Sequence, residues 1–416
     1  MAVKSKKQIK GFFVIKINNK YKTLHIGKYY SPFNGGIENF TQDLVESATY
    51  QQQVKPYLLV HQHQNVVATV EENVNGILVT RVKKLFTLLY SPISLTFLVE
   101  LNKTIKTIQP DILHIHMPNL SAFWCLFSAN ARKIPWVIHW HADVLGEKPD
   151  WRIKIAYQGY RIFEKLLLKR AKAIIVTSPP YLKSSEPLNE FKDKAHVIPL
   201  GLAGSKPEKD EQLNAADTDN LVAEMHHENT SLSLLIIGRL TYYKGHQYLL
   251  SALAQVENIT LTIIGVGELE TALKEQVKAL SLTQRVKFLG SVDDETLKQS
   301  IQNCDLLCLP SIEKTEAFGL VLLEAAQLAK PALVTSVKGS GMSWVIQNKK
   351  TGIVIEPNSV EALVQGLEFA NHNKAVLKQY GVAAQENFYR QFSIDAVAGK
   401  TVDLYQKVLD AETSSA

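Results

Sequence analysis

Two glutamates with seven residues between them lie where a buried strand passes into an apolar helix. Glu316 belongs to a polar loop, Phe318 and Gly319 follow it, and Glu324 falls within the helix. A carboxylate on an apolar helix face is costly to bury without a partner. The hydroxyl groups of a ribose or a hexose are natural partners, so the pattern predicts a site for a sugar-containing ligand. The alternative is one glutamate that caps the helix and one that lies at the surface.

Two basic residues flank the turn after another predicted strand. Gly238-Arg239 ends the strand, and Lys244-Gly245 begins the next helix. Fixed cations beside a helix N-terminus suit a diphosphate whose negative charge grows as it leaves. The pattern therefore predicts that Arg239 and Lys244 neutralise a leaving diphosphate. A solvated pair of basic residues is the alternative, and it fits Lys244 better than Arg239.

The first half of the chain contributes a glycine pair and a histidine. Gly35 and Gly36 precede a predicted helix, where paired glycines let the backbone approach an anion at the helix N-terminus. An ordinary flexible turn is the alternative. His141, in the sequence His141-Ala142-Asp143, follows directly on a predicted strand and is the best-placed polar group of this half.

Four histidines occur at alternate positions near the ends of two predicted strands, as His114 with His116 and His139 with His141. Alternate residues of a strand point to the same side, so each pair could hold a metal ion. Asp143 is available as a further ligand. On this hypothesis the chain would be a metal-dependent hydrolase that uses the two pairs. The alternative is that some of these histidines pack or cap while one lines a cleft.

Two shorter motifs are weaker. Asp217 and Asp219 resemble a metal-nucleotide carboxylate pair, but they lie in a polar stretch with no strand before them, which favours a solvated loop. Gly265 and Gly267 follow a strand but lack the third glycine of a dinucleotide-binding loop. We therefore expect neither a carboxylate metal site nor a nicotinamide cofactor.

Apolar runs of strand length alternate with segments of helical periodicity, which is typical of βαβ units and a parallel sheet. Residues 37–51 are predicted to form one amphipathic helix. The candidate residues above follow strands, and ligands of open α/β sheets bind at the carboxyl ends of the strands. The predicted strands are 23–27, 56–61, 76–82, 111–116, 136–140, 173–178, 196–200, 234–238, 260–265, 286–290, 305–310, 332–335 and 352–355.

The alternation stops after residue 200 and restarts near residue 232, which predicts two doubly wound, Rossmann-like α/β domains that face each other across a central cleft. A chain of 416 residues is also long enough for two domains. The predicted division is a basic leader at 1–22, an N-terminal domain at 23–202, a polar linker at 203–231, a C-terminal domain at 232–391 and a helix at 392–416 that packs back towards the N-terminal domain.

The formal net charge of +6 is concentrated at the start of the chain. The first 22 residues contain seven lysines and no acid, so the remainder is close to neutral and does not indicate nucleic-acid binding. The leader has only a short apolar run, interrupted by Lys16, and no cleavage site follows it, so we do not expect a signal peptide. The three cysteines favour free thiols in a reducing cytosol over a disulfide.

Together and in this order, the motifs resemble the retaining glycosyltransferases of family 4, which have the GT-B fold, over residues 22–410. The matching segments are residues 35–38, 141–143, 238–245 and 316–324. The resemblance implies a nucleotide diphosphate sugar, carrying UDP or GDP, as the donor and a hexose as the transferred group. It implies no cofactor and no required metal, because fixed cations stabilise the leaving group.

The resemblance also assigns roles to the candidate residues. The backbone of Gly35 and Gly36 would contact the donor diphosphate, and the two cations would neutralise it as it leaves. Glu316 would hold the donor sugar with the Phe318-Gly319 backbone, Glu324 would bind the ribose hydroxyls, and His141 would lie beside the transferred sugar near the acceptor. Residues 197–203 resemble the family's interdomain hinge, except that Ala203 replaces an acid often found there.

Residues 27–32 and 116–119 resemble bacterial enzymes that build O-antigen, capsule or exopolysaccharide on a polyprenyl diphosphate carrier. Such enzymes imply a glycan or polyprenyl-linked acceptor, and the family likeness favours GDP-mannose or UDP-glucose as the donor. The basic segment 151–172 fits an anionic membrane surface that the N-terminal domain would contact. We therefore expect a cytoplasmic protein at the inner face of the cytoplasmic membrane. A third hypothesis is a catalytically silent partner subunit.

Overall fold

The computed structural model describes residues 20–64, 68–88, 91–144, 151–204 and 231–415. Most of the basic leader and of the polar linker, with Asp217 and Asp219, lies outside these residues. The described residues form two layered α/β units, each with helices packed on the faces of a mainly parallel sheet. The predicted fold class is confirmed.

The first unit is built on an eight-stranded sheet with the order β10-β9-β8-β7-β1-β2-β4-β3. All neighbouring strands pair in parallel except β3, which runs antiparallel to β4 at the edge. The strands are β1 (Tyr21–Ile26), β2 (Val54–His61), β3 (Val70–Val74), β4 (Ile77–Val82), β7 (Ile112–Met117), β8 (Trp136–Trp140), β9 (Ala173–Val176) and β10 (Ala195–Val197), with a separate hairpin of β5 (Phe86–Leu88) and β6 (Ser91–Ile93).

Helices connect these strands. They are α1 (Gly36–Glu46), α2 (Ala48–Gln53), α3 (Phe97–Ile108), α4 (Trp124–Phe127), α5 (Trp151–Arg170) and α6 (Pro179–Ser184), with 3-10 turns at Leu120–Phe123, Ala131–Lys133 and Asn189–Lys194. The central strands β7 and β8 are buried along their whole length. Strands buried on both faces are expected where helices cover a parallel sheet on both sides.

The second unit has a six-stranded parallel sheet with the order β13-β12-β11-β14-β15-β16. Its strands are β11 (Leu232–Ile237), β12 (Ile259–Ile264), β13 (Val286–Gly290), β14 (Leu306–Leu309), β15 (Ala332–Thr335) and β16 (Gly352–Ile355). Its helices are α7 (His246–Leu253), α8 (Glu270–Ala279), α9 (Asp294–Asn303), α10 (Leu320–Gln327), α11 (Met342–Val345), α12 (Val360–His372) and α13 (Lys374–Asn387). A 3-10 turn lies at Tyr242–Lys244, and a short π-helix lies at Phe388–Phe392.

The last helix, α14 (Ile394–Ser415), lies against the first unit. Its Asp395 accepts a hydrogen bond from Thr49 at 2.6 Å, and its Tyr405 hydroxyl lies 3.0 Å from that of Tyr50. The chain crosses between the units at two adjacent places, because Leu202 exchanges backbone hydrogen bonds with Phe392 and Ile394. The second crossing therefore leads the chain end back to the unit in which it started.

Every predicted strand is present, with its ends shifted by a few residues at most. The prediction of one helix over residues 37–51 is wrong, because Ser47 adopts an extended conformation between α1 and α2 and accepts a hydrogen bond from the backbone N–H of Tyr50. Such a serine caps a new helix. All three cysteines are buried free thiols, as expected. In the described parts of the chain, no helix has the length and apolar character needed to cross a bilayer.

Candidate functional site

A buried ion pair joins two of the predicted site residues. Lys244, in the turn before α7, lies with its Nζ 2.5 Å from a carboxylate oxygen of Glu316, in the loop after β14. Both side chains are almost enclosed, at 11% and 13% exposure, so water screens the pair little. Burial lowers the pKa of Lys244, but the charge and the hydrogen bond of Glu316, with a smaller effect of Tyr243, together outweigh burial and the pKa is raised. Lys244 is therefore a fixed cation.

Two glycines create the space for this lysine and its loop. Gly238 has φ of +145°, and a Cβ there would lie 2.9 Å from the Lys244 Nζ. Gly245 has φ of +75°, and its Cβ would lie 2.1 Å from the carbonyl oxygen of Pro310. Positive φ and these close approaches each require glycine. The backbone after β11 is thus shaped to hold the Lys244 ammonium beside the N-terminus of α7.

Arg239 does not belong to this ion pair. Its guanidinium lies 3.3 Å from the carboxylate of Glu268, and both side chains are more than half exposed. An exposed pair of this kind contributes little to stability and leaves the arginine free to reorient. The structure therefore brings Lys244, but not the Arg239 guanidinium, into contact with Glu316.

The second glutamate of the motif lies on α10. Glu324 is half-buried, makes no hydrogen bond or ion pair with another described residue, and has a raised pKa because of burial and, to a smaller extent, the charge of Asp294. Gly319 begins the helix with φ of +81°, and the Phe318 ring packs inward near Phe392. A half-buried carboxylate with no protein partner is suited to accept hydrogen bonds from a ligand.

The N-terminus of α1 faces the N-terminus of α10 across the space between the units. A Cβ added to Gly36 would lie 3.3 Å from the Leu320 side chain, and a Cβ on Gly35 would lie 2.4 Å from the Glu38 carboxylate. Helix N-termini carry unpaired N–H groups and partial positive charge. The predicted glycine pair and the Phe318-Gly319 backbone therefore border the same space.

A cross-unit ion pair connects the loop after β8 with the glutamate loop. The Lys314 ammonium lies 3.3 Å from a carboxylate oxygen of Asp143, whose other oxygen accepts hydrogen bonds from Trp140 and Ser185. His141 precedes this aspartate by two residues and is 4% exposed. The pair places His141 on the side of the first unit that faces Glu316 and its loop.

The histidine pairs lie side by side on one face of the first sheet, where β1 adds His25 to them. Two sets of ring nitrogens are close enough together, within 4.8 Å, to suggest a metal: His25 with His114 and His116, and His116 with His139 and His141. No carboxylate belongs to either set. Several of these nitrogens instead lie 3.0–3.2 Å from one another in hydrogen bonds between the rings.

Comparison with known proteins decides the family. Residues 35–201 match the family described as "Glycosyl transferase 4-like domain", and residues 217–387 match "Glycosyl transferases group 1". The chain belongs to the family 4 glycosyltransferases. This glycosyltransferase is 30% identical to the O-antigen chain mannosyltransferase C of Escherichia coli over 334 residues, which are 80% of this chain and 84% of the relative. It is 29% identical to the D-rhamnosyltransferase WbpZ of Pseudomonas aeruginosa over 288 residues, 68% of this chain and 70% of the relative.

Solved structures show the same GT-B fold. Sucrose-phosphate synthase from Thermosynechococcus elongatus has a TM-score of 0.71 at 20% identity, covering 94% of this chain and 100% of that one. The Anabaena protein HepE in complex with UDP has a TM-score of 0.67 at 17% identity, covering 93% and 100%. The family models and the two relatives confirm the expected resemblance to glycosyltransferases of bacterial surface polysaccharides, and the metal-dependent hydrolase has no support.

Four residues near the site were not predicted from the sequence. Lys314 is a polar residue in a polar loop, and nothing local marks its partner in the other unit. His246 begins α7 next to Lys244, is 2% exposed, and has no hydrogen-bond partner for either ring nitrogen among the described residues. His25 lies directly opposite His114 in the pairing of β1 with β7, so a comparison of the histidine positions in the predicted strands could have indicated it. Tyr405 lies 291 residues from His114, beyond any local pattern.

Proposed function

We propose that this glycosyltransferase moves a hexose from a UDP- or GDP-sugar, with retention at the anomeric carbon and without a metal ion, to a glycan or polyprenyl-diphosphate-linked acceptor of surface polysaccharide synthesis. The observation that carries the proposal is the buried Lys244–Glu316 pair beside the N-terminus of α7. A fixed, poorly screened cation in that place stabilises negative charge that develops on a departing diphosphate.

Each candidate residue has a role in this reaction. Lys244 and, after reorienting, Arg239 neutralise the diphosphate, whose oxygens also face the N-termini of α1 and α10. Glu316 holds the sugar hydroxyls together with the backbone of residues 318 and 319. Glu324 accepts hydrogen bonds from the ribose, and His141 lies beside the transferred sugar.

In the proposed transfer step, one bond breaks, one bond forms and one proton moves, and no metal ion takes part. The bond between the anomeric carbon and the diphosphate oxygen breaks, and the electron pair leaves with the diphosphate. The acceptor hydroxyl bonds to the same face of the oxocarbenium-like sugar, and its proton passes to the departing phosphate oxygen. Fixed cations in place of Mg²⁺ keep the leaving-group charge stabilised throughout.

The relatives favour two donors. The Escherichia coli relative is named as a mannosyltransferase, which favours GDP-mannose, and HepE was solved with UDP-glucose, which favours that donor. A panel of sugar nucleotides in a thermal-shift assay, followed by an assay of nucleotide release with EDTA present, identifies the donor. Stabilisation by none of them, or transfer that EDTA abolishes, would contradict the corresponding part of the proposal.

Substitution of the buried lysine tests the mechanism. Lys244→Met is expected to lower kcat by about 10²–10³-fold, as the loss of one preorganised charge-stabilising group does. Lys274→Met removes another Lys–Glu pair, the exposed one with Glu270 on α8, and serves as the matched control with unchanged kcat. NMR of the product reports the anomeric configuration. Normal turnover in Lys244→Met, or an inverted product, contradicts the mechanism.

We further propose that the N-terminal unit binds an anionic membrane at the inner face of the cytoplasmic membrane. On α5, Ile155, Ile162 and Leu166 are exposed at helical spacing on one face, and the exposed Phe127 ring lies 6.1 Å from that of Phe163. We call these five residues the apolar stripe. Apolar side chains beside cations are typical of helices that lie in the membrane interface.

The cations of α5 are less available than their number suggests. Arg161 and Lys165 are paired with Glu186 and Glu190 at 2.7 Å, and Lys172, just after the helix, is paired with Glu412. Exposed pairs of this kind are worth at most about 1 kcal/mol, so they would open readily at an anionic surface. We therefore expect the apolar stripe to supply most of the binding energy and the cations to supply the preference for anionic lipid.

Liposome flotation tests this contact. Vesicles with anionic lipid are expected to float the protein, and neutral vesicles to float less of it. Ile162→Glu is expected to abolish flotation, whereas Val382→Glu, at a residue of α13 that is 42% exposed, is the matched control and leaves it unchanged. Absence of flotation with both vesicle types, or equal flotation of both variants, contradicts the proposal.

A further inference from the structure

Five buried histidines and two tyrosines form a connected hydrogen-bond network beneath the site. Three of the histidines form what we call the histidine row: the Nδ1 of His25 lies 3.1 Å from the Nε2 of His116, and the Nδ1 of His116 lies 3.0 Å from the Nε2 of His141. The Tyr50 hydroxyl lies 2.8 Å from the Nε2 of His25. The row thus runs from Tyr50 under the sheet to His141 at the cleft.

A second row lies beside the first. It consists of His114 and His139, whose Nε2 and Nδ1 atoms are 3.2 Å apart. The Nδ1 of His114 is hydrogen-bonded to the Tyr405 hydroxyl. The rings of His139 and His141 stack with centroids 4.2 Å apart, so the two rows contact each other face to face.

The rings within the histidine row meet edge to edge. The planes of His116 and His141 differ by 10°, and their centroids are 5.3 Å apart although the bonded nitrogens are 3.0 Å apart. Only rings that are nearly coplanar and in line give this combination. A metal ~2.0 Å from both nitrogens would lie about 1.3 Å off the line that joins them, so in rings that meet in line neither nitrogen lone pair would point at it. The geometry is that of N–H···N hydrogen bonds.

In-line bonds between neutral imidazoles couple the tautomers of the rings. Each neutral ring has one N–H and one lone pair, so a ring that accepts at one nitrogen must donate at the other. Burial lowers the pKa of His25 and His141 well below the usual range and that of His116 to about 3, which keeps all three neutral. The three rings must therefore be either all Nδ1–H or all Nε2–H.

Tyr50 determines which of the two forms is present. Its single proton has three neighbouring acceptors: the Nε2 of His25 at 2.8 Å, the Tyr405 oxygen at 3.0 Å and the Thr23 oxygen at 3.3 Å. The imidazole nitrogen is the nearest and most basic, and a phenol is a stronger acid than an imidazole N–H. Tyr50 therefore donates to His25, which requires the Nδ1–H form along the whole row.

The last ring of the row, His141, is 4% exposed and in this form carries its proton at Nδ1. The Nδ1 of His141 is buried and has no hydrogen-bond partner among the described residues. A buried N–H without a partner costs stability until a ligand oxygen accepts from it. We propose that Tyr50, through His25 and His116, holds His141 in the Nδ1–H tautomer and so makes it a hydrogen-bond donor to an oxygen of the bound sugar. Tyr50, His25 and His116 are positioning residues for His141.

The tautomer order is measured directly by long-range ¹H–¹⁵N NMR of the ¹⁵N-histidine-labelled wild-type protein at pH 7. The expected result is three neutral Nδ1–H rings at residues 25, 116 and 141. Rings of differing tautomer, a doubly protonated ring, or stoichiometric zinc in the purified protein would overturn the proposal. This measurement needs no variant and no activity, so it stands apart from the proposed function.

Two hydroxyl deletions separate the direction-setting donor from its neighbour. Tyr50→Phe is expected to shift the ratio of the His141 tautomers towards Nε2–H by about two- to tenfold, the range of one neutral hydrogen bond. Tyr405→Phe removes the same atoms from the same buried cluster but leaves the proton of Tyr50 on His25, so it is the matched control with an unchanged ratio. Equal shifts in the two variants, or none in Tyr50→Phe, would overturn the direction assigned to the row.

The catalytic consequence rests on the proposed role of His141 beside the transferred sugar. Tyr50→Phe is expected to lower kcat/KM by about two- to tenfold, and Tyr405→Phe to leave it at the wild-type value. If the NMR result holds and kcat/KM does not change, the tautomer order stands and the sugar contact of His141 is refuted. If no sugar nucleotide is a donor at all, the proposed function fails and the NMR result is unaffected.

Discussion

Glu164, on the inner face of α5, makes stability depend on pH in a direction opposite to that of most carboxylates. It is 1% exposed, and one carboxylate oxygen accepts a 2.7 Å hydrogen bond from Tyr157 while the other has no partner among the described residues. Burial raises the pKa of Glu164 from 4.5 to about 7, against the opposing effect of that hydrogen bond. The folded protein therefore binds this proton more tightly than the unfolded chain does.

The free energy at stake follows from the shift. A rise from 4.5 to about 7 corresponds to about 3 kcal/mol, at about 1.4 kcal/mol per pH unit. Because the folded-state pKa is the higher one, this contribution is fully present below about pH 4.5 and is lost as the pH rises through about 7. A glutamine carries no charge at any pH, so Glu164→Gln should remove this loss.

Urea unfolding at pH 5 and pH 8 measures the effect. Glu164→Gln is expected to gain stability relative to the wild type at pH 8, by up to about 3 kcal/mol, and to gain much less at pH 5. Glu186→Gln, which removes a largely exposed carboxylate paired with Arg161, is the control and should change stability by less than about 1 kcal/mol at both pH values. The same change at both pH values in Glu164→Gln would refute the reasoning.

Three further substitutions test the site. Gly319→Ala places a Cβ 2.9 Å from the Leu309 side chain at φ of +81°, and it is expected to lower the free energy of unfolding by about 2–4 kcal/mol. Gly290→Ala, with φ of +67° but nothing near its Cβ, is the control and should lower the free energy of unfolding by about 1–2 kcal/mol. Equal losses of the two variants in urea unfolding would contradict this. Glu324→Gln should weaken nucleotide-sugar binding at least tenfold in calorimetry without loss of stability, and unchanged affinity would remove the assigned contact. Lys314→Met should increase the radius of gyration in X-ray scattering by loosening the cross-unit pair, and an unchanged radius would show that other contacts hold the units together.

Periodicity and turn residues were sufficient to predict every strand of the two large sheets except the antiparallel edge strand β3. The strand Val70–Val74 has the sequence VEENV, in which polar residues occupy much of an edge that pairs on one side only. A strand of this kind lacks the apolar run by which buried strands are recognised. The break at Ser47 was missed for a related reason, because the apolar positions keep helical spacing across it.

The candidate site was predictable where neighbours in sequence are also neighbours in space. Glu324 and Gly319 share one strand–loop–helix unit, and their types and spacing suffice to mark them. The contact of Lys244 with Glu316 joins two such units, and it depends on the order β11-β14 in the sheet, which spacing along the chain does not determine. The ion pair of Arg239 with Glu268 could not be predicted either, because both side chains are exposed and nothing in the sequence marks them as partners.

The return of α14 to the first unit has a consequence for the order in which the protein can be made. Tyr405, which closes the buried histidine network, is fully buried against residues that leave the ribosome hundreds of residues earlier. Domains normally fold in the order of their synthesis. Here the first unit lacks the cover for α1 and α2 until α14 has been synthesised, which is after every strand of the second unit.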